Sequence, residues 1–152
     1  ISAQSKQLLK IIADMDKIPS GAYNIRANGE SAGRNVTENI NIKNKTDKPG
    51  IDIIVRANTV GETVHIPVII DKTGINDFVY NDFIIGENAD VTIMAGCGIH
   101  NCGNQDSEHD GIHRFSIGTN ARIKYTYKIP SIILILRRYL RSAHDTDGSL
   151  SL

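Results

Sequence analysis

The sequence predicts an all-β protein built as a β-solenoid, with a short α-helix in front of it. Two observations carry this. From Ala22 to about Lys128 no helical period survives, and short β-branched runs recur between Gly, Asn and Asp. Those runs also repeat in register, which points to stacked copies of one structural unit.

The elements follow in order. In "SAQSKQLLKIIADMDK", Leu8, Leu9, Ile11, Ile12 and Met15 recur at spacings of three and four, giving one apolar stripe, with Ser2 or Ser5 as N-cap. This helix, assigned to 1–18, ends by Ile18 because Pro19 disfavours helical backbone in the residue before it. The core, assigned to 22–128, holds the runs "NINI", "IDIIV", "VHIPVII", "DFVYNDFII", "ADVTIM", "RFSI" and "ARIKYTY". An offset of 24 residues lays Ile40 on Val64, Ile42 on Ile66 and "DKPGI" on "DKTGI". An offset of 32 lays "FIIGENADVTI" (Phe83 to Ile93) on "FSIGTNARIKY" (Phe115 to Tyr125). A unit of this size cannot bury its apolar side alone, so successive units stack and their inward Ile, Val and Phe form ladders. Gly and Asn then take the corners, where a positive φ costs them little. The competing architecture is an antiparallel sandwich, which also has many short strands.

With 152 residues and 40% hydrophobic content the chain has the size of one domain. Seventeen basic residues balance seventeen acidic ones, so bulk charge points to neither nucleic acid nor membrane as a partner. Two closely spaced cysteines do not make a disulfide framework and fit a reducing, cytoplasmic setting. The apolar run "IPSIILIL" (Ile129 to Leu136) is far shorter than the roughly 20 residues a spanning helix needs. The first residue is Ile1, so a processed chain or a fragment is expected.

The stretch "GCGIHNCGNQDSEHDGIHR" (96–114) concentrates the chemistry: both cysteines and three of the five histidines. The larger offset exceeds the smaller by eight residues, so the stretch reads as an excursion between two turns, where stacked folds carry function. Cys97 stands between two glycines with His100 and His109 nearby, an arrangement that lowers a thiol's pKa and populates the attacking thiolate. The plain alternative is a small apolar Cys97 packed inside the stack. Cys97, His100, Cys102 and His113 also offer soft and borderline ligands for zinc or iron, although no pair has C-x-x-C spacing. A cysteine hydrolase or transferase would use Cys97 with His109 or His113 as base, but no oxyanion site is recognisable.

The strings "GAYNIRANG", "DKPGIDIIV", "HIPVII", "NDFIIGENADVTIMAGCGIHN" and "HDGIHRFSIGTNARIKY" resemble the SufB/SufD family of iron–sulfur cluster assembly scaffold proteins over about residues 8–125. The resemblance implies a right-handed parallel β-helix and a non-enzymatic role: accepting persulfide sulfur and helping to build and hand on a transient iron–sulfur cluster. It implies as partners a SufC-type ABC ATPase, a SufB/SufD-type protomer and a cysteine-desulfurase sulfur donor. Cys97 matches the family's sulfur-accepting cysteine at a strand end, and His109 matches a histidine before its "NAxxKY" strand; both are expected at the cluster. After "ARIKY" the chain departs from the family, and 129–152 reads as an aberrant tail left by truncation or frameshift. The family's ATPase-docking helices and further ligands are expected in the part so lost. The remaining alternatives are a cysteine and histidine zinc domain and a purely structural solenoid module.

Overall fold

A computed structural model describes residues 3, 6–7, 9–10, 15, 17–100, 103–129, 138–141 and 148–151. The chain is mostly β. Its strands are β1 (Ala22–Ala27), β2 (Glu30–Asn35), β3 (Ile40–Asn44), β4 (Gly50–Val55), β5 (Val60–Ile70), β6 (Asn76–Ile85), β7 (Asp90–Ile99), β8 (Glu108–Ile117), β9 (Arg122–Lys128), β10 (Arg138–Arg141) and β11 (Gly148–Ser151).

They form two mixed sheets, with orders β10-β9-β7-β5-β1-β2 and β11-β8-β6-β4-β3. From β4 to β9 the chain alternates between the sheets, and each strand lies parallel to the one two places earlier. Such parallel pairing does not occur in the antiparallel sandwich that the run of short strands also allowed. Antiparallel pairs end the sheets, β1 with β2 and β3 with β4 on one side, β9 with β10 and β8 with β11 on the other.

Alternation along each strand turns every second side chain into the space between the sheets. Parallel register then places like on like. Ile53, Phe83 and Phe115 form one rung, Val55, Ile85 and Ile117 the next, and Val64, Ile93 and Tyr125 answer from the other sheet. All belong to a single buried cluster. Phe83 and Phe115 stack with centroids 4.7 Å apart and planes 10° from parallel, the separation of adjacent strands.

The structural period is therefore 30 residues from Ile53 to Phe83 and 32 from Phe83 to Phe115. The 32-residue offset is the true register. The 24-residue offset is not: Gly50 lies beside Tyr80, so "DKPGI" and "DKTGI" are similar turns rather than stacked rungs.

Asn58, Asn88 and Asn120 recur at one corner with φ of 64°, 57° and 59°. Their side chains form a ladder, Asn88 Nδ2 donating to Asn58 Oδ1 at 3.2 Å and Asn120 Nδ2 to Asn88 Oδ1 at 3.5 Å. Gly86 precedes this corner because the earlier corner at Ala57 leaves no room: a Cβ there would sit 2.3 Å from the Ala57 backbone nitrogen. Gly86→Ala is expected to cost about 1–3 kcal/mol, since backbone rather than a flexible side chain must move. An unchanged urea midpoint would show that the corner is looser than this.

Three expectations need correction. Among the described residues no N-terminal helix forms an element of its own; most of 1–14 lies outside them, and of those described Ala3, Lys6, Gln7, Leu9 and Lys10 have helical backbone. What the segment does show is burial of Leu9 and Met15 against Ile25 and Ile69 on the outer face of the first sheet. Most of the 96–114 stretch is not an excursion, because Gly96–Ile99 completes β7 and 108–114 opens β8. Last, the segment read as an aberrant tail contributes strands to both sheets. Its β10 and β11 lie on the edges of β9 and β8, whose unpaired backbone groups accept any extended segment of suitable length. Among the described residues no helix is long and apolar enough to cross a membrane.

Candidate functional site

Toward one corner, where β5 and β7 end and β6 and β8 begin, the interior changes from apolar to polar. Asn24, Asp77, Asn81, His113 and Thr126 are buried polar groups. All but Thr126, which alternates out of phase on β9, occupy inward positions in their strands.

Asp77, near the start of β6, is the hub of this region. Arg26 of β1 donates to it through Nε (2.8 Å to Oδ2) and a terminal nitrogen (2.7 Å to Oδ1). His109 of β8, its neighbour in parallel register, places Nδ1 3.0 Å from Asp77 Oδ2. The Asp77 and His109 side chains are each 4% exposed. Burial alone would raise the Asp77 carboxyl, but the hydrogen bonds of Arg26 and then His109 overturn this and hold it well below the usual carboxylate range.

His113, two inward positions further along β8, anchors a second chain of bonds. Its Nδ1 lies 2.7 Å from the Tyr125 hydroxyl, its Nε2 3.3 Å from Asn81 Nδ2, and Asn81 Oδ1 accepts from the Ile51 backbone N–H at 3.2 Å. An Asn81 N–H that donates to Nε2 leaves the ring proton on Nδ1, so the imidazole is neutral. Burial, and then the charge of His109, push its pKa down to about 4.

Cys97 projects into the same interior. It continues the inward series Val91, Ile93, Ala95 along β7, and it is free and buried. Burial first, and the Asp77 carboxylate second, push its thiol up to about 12.

The sequence expectations for these residues divide accordingly. Cys97 and His109 do come to one end of the interior, as the reading of a shared site requires. The electrostatic part of that reading is overturned: the flanking glycines do not expose Cys97, because Gly96 and Gly98 lie beside Pro67 and Ile69 inside the sheet. Nor do the histidines lower its pKa, since His109 Nδ1 is turned to Asp77 and the nearest influential charge is negative. His100 is exposed just beyond β7. Of the expected metal set of Cys97, His100, Cys102 and His113, three lie within the described residues. Both His113 ring nitrogens are engaged, and Cys102 lies outside the described residues. Among the described residues no group of three or more His, Cys, Asp and Glu is placed to hold a metal ion.

Sequence reasoning overlooked Arg26, Asp77, Asn81 and Tyr125. For two of these the signal was present. Continued toward the N-terminus, the 32-residue register lays Asp77 on His109 and Asn81 on His113. Comparison with protein-family models, with curated proteins and with solved structures finds no match to this chain.

Proposed function

We propose that this chain is the sulfur-accepting part of an iron–sulfur cluster assembly scaffold, a right-handed β-solenoid that works in the cytoplasm without turnover of its own. The crossover rule supports the right hand, because parallel neighbours such as β5 and β7 are joined through a strand of the other sheet. The observation that carries the functional reading is the ordered string from "AGCGIHN" to "HDGIHRF", supported by Cys97 sharing a rung with Arg26 and by His109 bonding Asp77, the partner of Arg26. The Arg26 and Asp77 pair and the His113 chain support it. Charged and polar groups buried between sheets stabilise poorly compared with apolar rungs, and so mark a place used for chemistry.

The chemistry is one thiol exchange. The Cys97 thiolate attacks the outer sulfur of a donor persulfide, R–S–SH. A new S–S bond forms on Cys97, the donor's S–S bond breaks, and the donor leaves as its thiolate, which takes up the proton released from Cys97. The iron–sulfur cluster is cargo to which this sulfur is passed. A SufC-type ATPase, a SufB/SufD-type protomer and a cysteine-desulfurase donor complete the proposed assembly.

Incubating the chain with a low-molecular-weight persulfide and mapping the modified thiols by mass spectrometry tests this. Added sulfur on Cys97 is expected. Sulfur on Cys102 with none on Cys97 removes the assignment.

A further inference from the structure

Sulfur acceptance by Cys97, on which this inference rests, meets an obstacle in the closed structure: the thiol is buried and its thiolate disfavoured. The obstacle has an identifiable structural source. Arg26, Val68 and Cys97 are one rung across β1, β5 and β7 of the first sheet. Asp77 and His109 are one rung across β6 and β8 of the second. The guanidinium of Arg26 reaches from the first sheet to the second and grips Asp77 with two bonds, while His109 holds the same carboxylate from the side. Elsewhere the sheets face each other mainly through apolar side chains, as where Phe83 of the second meets the Tyr125 ring of the first, and through the single bond between His113 and the Tyr125 hydroxyl. Only at the Cys97 end, among the described residues, are they joined by a two-bond ion pair.

An apolar contact weakens gradually as its surfaces separate, whereas a buried bidentate ion pair is strong in one geometry and costly once broken. Such a joint has two states, made or open. We propose that the Arg26, Asp77 and His109 bridge is a latch that fastens the two sheets over Cys97 and keeps its thiol from sulfur donors until this end of the interior opens. Arg26 and Asp77 are thus gating residues that act on the thiol through the position of the sheets and never touch the transferred sulfur.

The sign of one substitution separates a latch from a purely electrostatic influence. Arg26→Gln breaks the two-bond grip but leaves the Asp77 charge beside the thiol without its counter-ion. A latch predicts that Cys97 becomes more reactive; charge alone predicts that it becomes less so. The full-length chain is treated with iodoacetamide at fixed pH, and alkylation of Cys97, in which the thiolate displaces iodide, is followed by peptide mass spectrometry relative to Cys102 in the same molecule. At least a tenfold rise in the Cys97 to Cys102 ratio is expected for Arg26→Gln with a native strand signal in circular dichroism. A ratio unchanged or lowered, with that signal intact, overturns the latch. If Arg26→Gln loses the strand signal, the double variant Arg26→Gln with Asp77→Asn decides, because it leaves no uncompensated charge. A rise there supports the latch, and an unchanged ratio overturns it. Iodoacetamide alkylates any accessible thiolate, so failure here is distinct from failure of sulfur acceptance, which the persulfide experiment reads.

Discussion

Replacing Phe83 by alanine is expected to lower the unfolding free energy by about 3–5 kcal/mol, the usual loss for emptying an aromatic site in a packed core. Phe83 is fully buried at the centre of the stack. It lies against Phe115 with parallel rings, and Tyr125 approaches it edge-on from the opposite sheet at a centroid distance of 6.3 Å. Its neighbours are strand residues held in register, so the gap cannot close by a local shift. Urea unfolding followed by circular dichroism measures the loss. A value below about 1 kcal/mol would mean that the two sheets do not share one core at this rung.

Acid should remove nearly as much. His113 titrates at about 4 in the fold against an ordinary 6.5, because its buried ring resists taking up charge. Between these values the unfolded chain binds the proton and the folded chain does not, so stability rises with pH through this window. Its contribution is fully present above about 6.5, and about 3 kcal/mol is lost as the pH falls to about 4. Below that, Asp77 continues the decline, since its carboxyl is held down in the fold and must be protonated. The opposite limb is alkaline: Cys97, with an ordinary value of 9.0, is pushed up to about 12, and Tyr125 is raised above its ordinary 10.0, so both favour the fold until the pH passes their unfolded values. Unfolding measured at half-unit steps from pH 7.5 to 4 checks the acid limb. His113→Gln, which retains a hydrogen-bonding side chain, is expected to flatten the slope between 6.5 and 4. A slope unaltered in that variant would assign the acid sensitivity elsewhere.

How far the fold was legible depends on which signal is followed. Strand content was plain from the β-branched runs, and the 32-residue register gave the stacking of β6 on β8 and β7 on β9 residue by residue, down to Phe83 on Phe115. The 24-residue match misled because short turns rich in Asp, Lys and Gly resemble one another wherever they occur. Turn chemistry reports local backbone shape, not the partner of a strand. The 96–114 stretch misled for a related reason. Small and polar residues suggest a loop, yet Gly96 and Gly98 continue β7 in parallel register beside Pro67 and Ile69 of β5. At the site, the sequence singled out Cys97 and His109 but none of the groups that surround them, Asp77 above all. Arg26 was not legible, because β1 stands outside the 32-residue repeat and its reach to Asp77 spans 51 positions of sequence between two sheets. The direction of the Cys97 pKa was likewise beyond sequence, since it is decided by burial and by a carboxylate 20 positions away in the chain.

The central claim is that Cys97 is the residue at which this chain takes up sulfur. Its most direct test is the amount of persulfide sulfur retained by the purified chain after loading with a persulfide donor and removal of the excess, compared among wild type, Cys97→Ser and Cys102→Ser. The account predicts that wild type and Cys102→Ser retain about equal amounts and that Cys97→Ser retains almost none. Retention by Cys97→Ser at the wild-type level would contradict it.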